Sequence, residues 1–290
     1  MLGWLEDIEQ FIFDMFKGGT ETFLNLITEI FQHSVDTVRQ NVSETPTEFS
    51  QTIVDSLRTI SDTAILPVAG IILTYLFCYE LYNIVVEQNR GKDFETGRLF
   101  FLIFKTSVII TILTNSFTIT LAVFDLGKWI TDKIPDSTLV IPESINDTLL
   151  NSIEDGEIGV ALSMWIVTAI ALLASFVMAG VIYLVAWSRI ITILLYISVS
   201  PIPFATFLTG NWVGSIGQSY VKNLLALMLQ GYFMIVCLII YAGLLEKTSE
   251  LIVNESSPIY ALLLMLVSMG ILVMTLTKTH GLAKSVVGAN

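Results

Sequence analysis

Residues 159–187 read GVALSMWIVTAIALLASFVMAGVIYLVAW, 29 positions without one Asp, Glu, Lys or Arg. Crossing the roughly 30 Å of bilayer hydrocarbon takes about 20 mostly apolar residues in a helix. This stretch is long enough to span, and too uniformly apolar for a half-exposed helix of a soluble domain. Working outward, 64–86, 99–124 and 221–245 are also long and apolar, each with a single Asp, Glu, Lys or Arg. A fifth stretch, 259–277, is barely long enough but carries no charge. The stretch 190–208 is apolar too, yet it contains Ser200-Pro201-Ile202-Pro203. Each proline removes a helix donor and clashes with the preceding turn. Non-helical backbone at membrane depth must be covered by protein or face water. The expected fold is therefore all-α and polytopic, with five full transmembrane helices plus one Pro-broken or re-entrant segment.

Composition agrees. Of 290 residues, 54% are hydrophobic and only 14% charged, with a mean hydropathy of +0.75. Soluble domains carry about a quarter charged residues, and disordered chains are poor in apolar ones, so both classes are excluded. The net charge of −12 comes with no Lys/Arg cluster, which argues against nucleic-acid binding through a basic surface. Cys78 and Cys237 lie in apolar runs, where cysteine acts as a small hydrophobe. Neither His33 nor His280 has a second ligand at metal spacing, so no metal or other cofactor is expected. The N-terminus, MLGWLED, lacks a basic region and a small-residue cleavage site, so no cleavable signal peptide is expected.

The first 62 residues differ in kind. Leu5, Ile8, Phe11, Ile12, Met15 and Phe16 recur at helical spacing opposite Glu6, Glu9 and Asp14. Gly18-Gly19 is expected to break that helix, and a second stripe follows through Phe23, Leu26, Ile27, Ile30 and Phe31. A third helix should start at Thr45-Pro46-Thr47-Glu48: Thr45 can cap, Pro46 suits the first turn, and Glu48 can reach back to the cap amide. Its apolar positions Phe49, Ile53, Leu57 and Ile60 share one face. Membrane-surface helices usually carry Lys and Arg on the polar face. These carry acid, which favours packing on a partner over lying on lipid.

Orientation follows Lys and Arg in short loops. Loop 87–98 holds Arg90, Lys92 and Arg98, whereas the long segment 125–157 holds only Lys128 and Lys133. The first is expected on the cytoplasmic side and the second outside, which places the N-terminus outside. If 190–208 re-enters rather than crosses, Lys222, Lys278 and Lys284 also fall inside, so the C-terminus is expected in the cytoplasm. The resulting layout is an exterior amphipathic region (1–62), a transmembrane hairpin (63–124), an acidic exterior loop (125–158), a transmembrane core (159–277) and a short cytoplasmic tail (278–290). Segments 1–62, 125–157 and 246–258 then carry −8, −6 and −2, and the rest of the chain is net +4.

Few groups carry candidate chemistry. Glu80 and Lys105 lie inside adjacent spans, equidistant from the centre of their connecting loop. Each should sit about 10 Å in from the cytoplasmic end at roughly 1.5 Å per residue. An intramembrane charge points to an ion path; the plainer alternatives are a structural ion pair or a lysine snorkelling to the interface. Ala171, Ser175 and Ala179 recur every fourth residue and let backbones approach, either between copies or within one chain. Gly210, Gly214 and Gly217 surround Trp212 without forming a phosphate-binding loop. A tight surface loop anchored by the indole fits better. No paired nucleophile and base or metal motif falls within a span, so no enzyme activity is expected.

From Arg189 the chain runs through Tyr196, Pro201 and Pro203 to a glycine-rich turn with Trp212, then through Ser219-Tyr-Val-Lys-Asn to Gly231. This block resembles the core of the TrbL-like family, bacterial polytopic inner-membrane components of type IV secretion and conjugation machineries. The resemblance implies a non-enzymatic channel or scaffold subunit that helps pass DNA or protein, powered by separate ATPases. It also implies assembly with copies of itself and with other secretion subunits, within membrane lipids, and transient contact with transferred single-stranded DNA. By that resemblance Pro201 and Pro203 form the break and Trp212 the loop. A stand-alone solute transporter or ion channel is the alternative, although transporters often pair broken helices in both halves and here one half has one. A membrane anchor or assembly factor is a third reading.

Overall fold

A computed structural model describes residues 3–89, 96–134, 158–210, 212–253 and 258–289. Arg90, Lys92, most of the acidic loop and residues 254–257 lie outside the described residues. The described residues contain helices and no strand. In chain order these are α1 (Gly3–Ser43), α2 (Pro46–Phe49), α3 (Gln51–Ile60), a π-helical turn (Ser61–Ile65), α4 (Leu66–Asn89), α5 (Thr96–Thr114) and α6 (Ser116–Thr131). Then come α7 (Ile158–Ser198), α8 (Pro201–Ala205), a 3₁₀ turn (Thr206–Leu208), α9 (Gly214–Val253) and α10 (Pro258–Val287). Five helical stretches among the described residues are long and apolar enough to cross a membrane: Gln51–Val86, Gly97–Thr114, Ile158–Ser198, Gly214–Thr248 and Leu262–Val287. The chain is a multi-pass helical membrane protein.

The chain divides into two compact units. The first comprises Met1–Val42, Ile134–Trp187 and Phe233–Thr279. Its core joins Leu24, Ile27, Phe31, Val35, Val38 and Val42 of α1 to Ala171, Ile182 and Ala186 of α7. Met234, Leu238 and Tyr241 of α9 and Met265, Met269 and Leu272 of α10 complete it. From Leu24 onward the acidic N-terminal helix therefore covers its stripe with its own chain.

Three local expectations change here. Gly18-Gly19 does not break α1, which runs unbroken for 41 residues. A Cβ on Gly19 would lie 2.6 Å from Trp165 Nε1, so this glycine admits an indole instead of ending a helix. The packed stripe also differs, because Thr20 and Ser34 belong to it, fully buried. Their hydroxyls donate to the carbonyls of Phe16 and Ile30, four residues back, which satisfies them without a partner helix. Ile8, Phe11 and Met15 consequently stay exposed, while Phe13 and Phe16 face Ala161 and Met164.

The second unit comprises Ser43–Lys133, Ser188–Tyr232 and His280–Asn290. The capping box forms as expected: the Glu48 amide donates to Thr45 Oγ1 and the Thr45 amide donates to Glu48 Oε2. The third amphipathic helix, however, is not separate from the first span. α3 passes through the π turn directly into α4. The span expected over 99–124 is interrupted at Asn115, where α5 ends and α6 begins. There Thr114 Oγ1 donates to the carbonyls of Ile110 and Thr111, and Asn115 Nδ2 donates to that of Thr111. The Asn115 amide turns instead to the carbonyl of Ile112, three residues back, so its side chain holds the Thr111 carbonyl that a continuing helix would give to the amide. At the other end of the chain, 278–287 prolongs α10 until Gly288, whose φ of +65° terminates it.

Candidate functional site

The segment 190–208 is not a separate membrane element. Residues 190–198 are the last turns of α7, and the change of direction falls at Val199-Ser200. Pro201 opens α8, where its missing amide costs nothing, and Pro203 also falls among the donors that a helix start leaves unpaired. The prolines therefore begin a new short helix as well as ending the long one. Pro201, Pro203, Phe204, Ala205, Thr206 and Leu208 are all buried. Around them lie Ala69, Leu73 and Leu76 of α4, Leu102, Ile109 and Leu113 of α5, and Phe117 of α6.

α9 presses on the same segment. A Cβ on Gly217 would lie 2.7 Å from the Pro203 carbonyl oxygen and 2.9 Å from Thr206 Oγ1. On Gly214 it would lie 2.1 Å from the Thr209 carbonyl oxygen. These two glycines thus allow backbone contact. Gly210, by contrast, has open space around it, and Trp212 is 79% exposed. Tyr220 ties the ends together. Its hydroxyl donates to the Tyr196 carbonyl at 2.8 Å, its ring stacks on Tyr196 at 5.6 Å, and its edge meets Phe204 at 5.7 Å. The Ser200 amide bonds to Ile197, not to Tyr196, so the phenol takes up a carbonyl that the break releases.

Beside the broken segment lies a cavity of about 520 Å³. Its polar lining is Glu80 of α4 with Arg98 and Lys105 of α5, and Leu208 and Gly210 close one side. Glu80 and Lys105 thus line one cavity. The Lys105 ammonium donates to the carbonyl of Leu208 at 2.6 Å, and no ion pair within 4.0 Å joins it to Glu80. That carbonyl ends the 3₁₀ turn, so it has no helical partner of its own. Ala171, Ser175 and Ala179 sit elsewhere, buried at 1%, 0% and 3% within the first unit.

A family model described as TrbL/VirB6 plasmid conjugal transfer like protein matches residues 31–201, more than half of the chain. This chain belongs to the TrbL/VirB6-like family. No match was found among curated proteins or among solved structures. Membership makes the chain a component of a conjugal transfer system. The matched region includes Glu80, Arg98, Lys105 and Pro201, and ends before Pro203, Leu208 and Trp212. In this TrbL/VirB6-like chain, sequence reading missed Arg98 as a cavity residue, although its position seven residues before Lys105 puts both on one helix face. It also missed Tyr220 and the Leu208 carbonyl, and the latter has no sequence signature.

Proposed function

We propose that the chain is a channel or scaffold subunit of a type IV secretion machine, helping pass DNA or protein across the cytoplasmic membrane without a catalytic step of its own. The observation that carries this reading is the broken segment Pro201–Leu208, buried among α4, α5 and α6. A helix interrupted within a bundle of spans is tolerated where neighbouring protein satisfies the freed backbone groups, as Tyr220 and Lys105 do here. In this reading the N-terminus lies outside and the C-terminus in the cytoplasm, following the Lys/Arg distribution. The subunit assembles with copies of itself and with other secretion subunits. Separate ATPases supply the energy, and transferred single-stranded DNA contacts the assembly transiently.

A photo-crosslinking residue at the exposed position 212 tests the proposal during active transfer. Adducts with other transfer subunits or a second copy, together with lost transfer on deletion of the gene, are expected. The charged cavity favours one second reading, a stand-alone solute transporter. Purification as a lone oligomer that moves a solute into liposomes, with transfer unaffected by its deletion, would establish that reading and overturn the first.

A further inference from the structure

We propose that the cavity between α4 and α5 is a headgroup site for an ethanolamine glycerophospholipid. The phosphate sits on Arg98 and Lys105, the ammonium on Glu80, and one acyl chain lies in the adjoining apolar groove. Three observations converge on this ligand. Among the described residues the Glu80 carboxylate accepts no hydrogen bond and joins no ion pair, although it lies within a span. An unpartnered carboxylate at that depth is costly, and a ligand cation removes the cost. Arg98 and Lys105 face the same space two turns apart on α5. Basic pockets between transmembrane helices suit phosphate headgroups, and the charge-assisted bonds they form are the strong ones.

The third observation is the neighbouring groove. A second cavity of about 460 Å³ shares Phe101 and Lys105 with the first. It continues along Phe104 and Val108 with Phe204 and Phe207. Phe101 and Phe104 are each 66% exposed on a membrane-spanning helix. A chamber carrying three charged side chains beside an apolar furrow matches an amphiphile, not a soluble anion. The chamber falls within the roughly 300–1,000 Å³ typical of small-molecule sites. Glu80 selects the headgroup: it repels a phosphate unless a positive group stands between them, and ethanolamine supplies one where glycerol does not.

The test reconstitutes the full chain in nanodiscs of equal phosphatidylethanolamine and phosphatidylglycerol, extracts it, and counts retained lipid by native mass spectrometry. Phosphatidylethanolamine should be retained in preference, and Arg98→Gln should lower retention about tenfold, the scale of one charge-assisted bond. Glu80→Gln should keep the lipid but lose the preference for ethanolamine, a change of selectivity that a misfolded chain does not produce. Glycerophosphoethanolamine, which has no acyl chains, should fail to displace the lipid. Equal retention of both lipids by the unaltered chain, or an unchanged preference in Glu80→Gln, overturns the role given to Glu80. Unchanged retention in Arg98→Gln overturns the site. Ready displacement by the deacylated headgroup assigns the cavity to a soluble phosphoester and overturns the lipid.

Discussion

The ammonium of Lys105 donates a 2.6 Å hydrogen bond to the carbonyl oxygen of Leu208, 103 residues further along the chain. A full positive charge thus closes the last turn of the buried broken segment, where a helix end would otherwise leave its carbonyl unpaired. The lysine is therefore tied to backbone, and its carboxylate neighbour is not what holds it.

Lys105→Ala should destabilise the protein by about 1.5–3 kcal/mol, the worth of a hydrogen bond to a charged group. Glu80→Gln should not rescue it. Unfolding of the single and double variants in mild detergent checks this, and the effects should add. A coupling above about 1 kcal/mol would return the two residues to a direct pair.

Gly217→Ala places a methyl 2.7 Å from the Pro203 carbonyl oxygen, and Gly214→Ala one 2.1 Å from that of Thr209. Both neighbours are backbone and cannot rotate away. Each substitution should cost about 1–3 kcal/mol through overpacking and should reduce transfer. Gly243→Ala and Gly270→Ala, with open space at the same position, should leave thermal stability unchanged or raised.

The adjacent pair Gly18 and Gly19 offers a sharper contrast. Gly18→Ala meets nothing within 4 Å, whereas Gly19→Ala meets the Trp165 ring at 2.6 Å. Only the second should shift tryptophan emission and loosen the end of α1, measured by fluorescence and limited proteolysis. Equal effects would show that α1 does not approach the indole.

Lys128 bonds to Glu48 and, with the Thr45 amide, holds the Glu48 carboxyl below its usual pKa. A lowered folded-state value means the pair stabilises the fold above the ordinary glutamate range and is lost as pH falls through the lowered one. Both side chains are partly exposed, so the effect should stay under about 1 kcal/mol. The stability gap between the unaltered chain and Glu48→Gln should be full at neutral pH and close on acidification. A gap independent of pH would show that the two do not pair.

With Cys78 and Cys237 replaced by serine, Lys284→Cys should resist an impermeant maleimide in intact cells and react in inverted vesicles. Labelling from outside would reverse the topology assigned to the C-terminus.

What could be read from the sequence was what depends on local pattern. The apolar runs located the membrane-spanning helices, and Thr45, Pro46 and Glu48 gave a capping box that forms as written. Pro201 marked a break that falls within two residues of it. The errors came where a side chain answers to a distant neighbour or to the turn before it. Gly19 looked like a helix breaker because Trp165 is invisible from position 19. Thr20 and Ser34 looked polar because their bonds to preceding carbonyls do not show in a periodicity. The interruption at Asn115 depends on its side chain taking the Thr111 carbonyl, inside a stretch whose length and overall apolarity suggest one span. Hairpin symmetry points to Glu80 and Lys105 as neighbours, and they line one cavity, but the lysine's actual partner is a backbone oxygen that any residue at 208 would supply. The family was recognisable from the pattern over 189–240 and from the layout of spans and loops along most of the chain; its match runs over 31–201 and shares Arg189 to Pro201 with that pattern.

Ala171, Ser175 and Ala179, the side of α7 where another helix could come closest, are already covered within the chain's own unit. What α7 leaves uncovered is bulky: Ile170, Leu173, Val177 and Leu184 are all more than 60% exposed. Recruitment of a further copy through this helix would therefore be a contest with acyl chains, whose chemistry those side chains share. Its strength would be set as much by which lipids surround the protein as by the protein itself. If copies meet on this face, they would join or part as the surrounding lipid changes, with no residue altered.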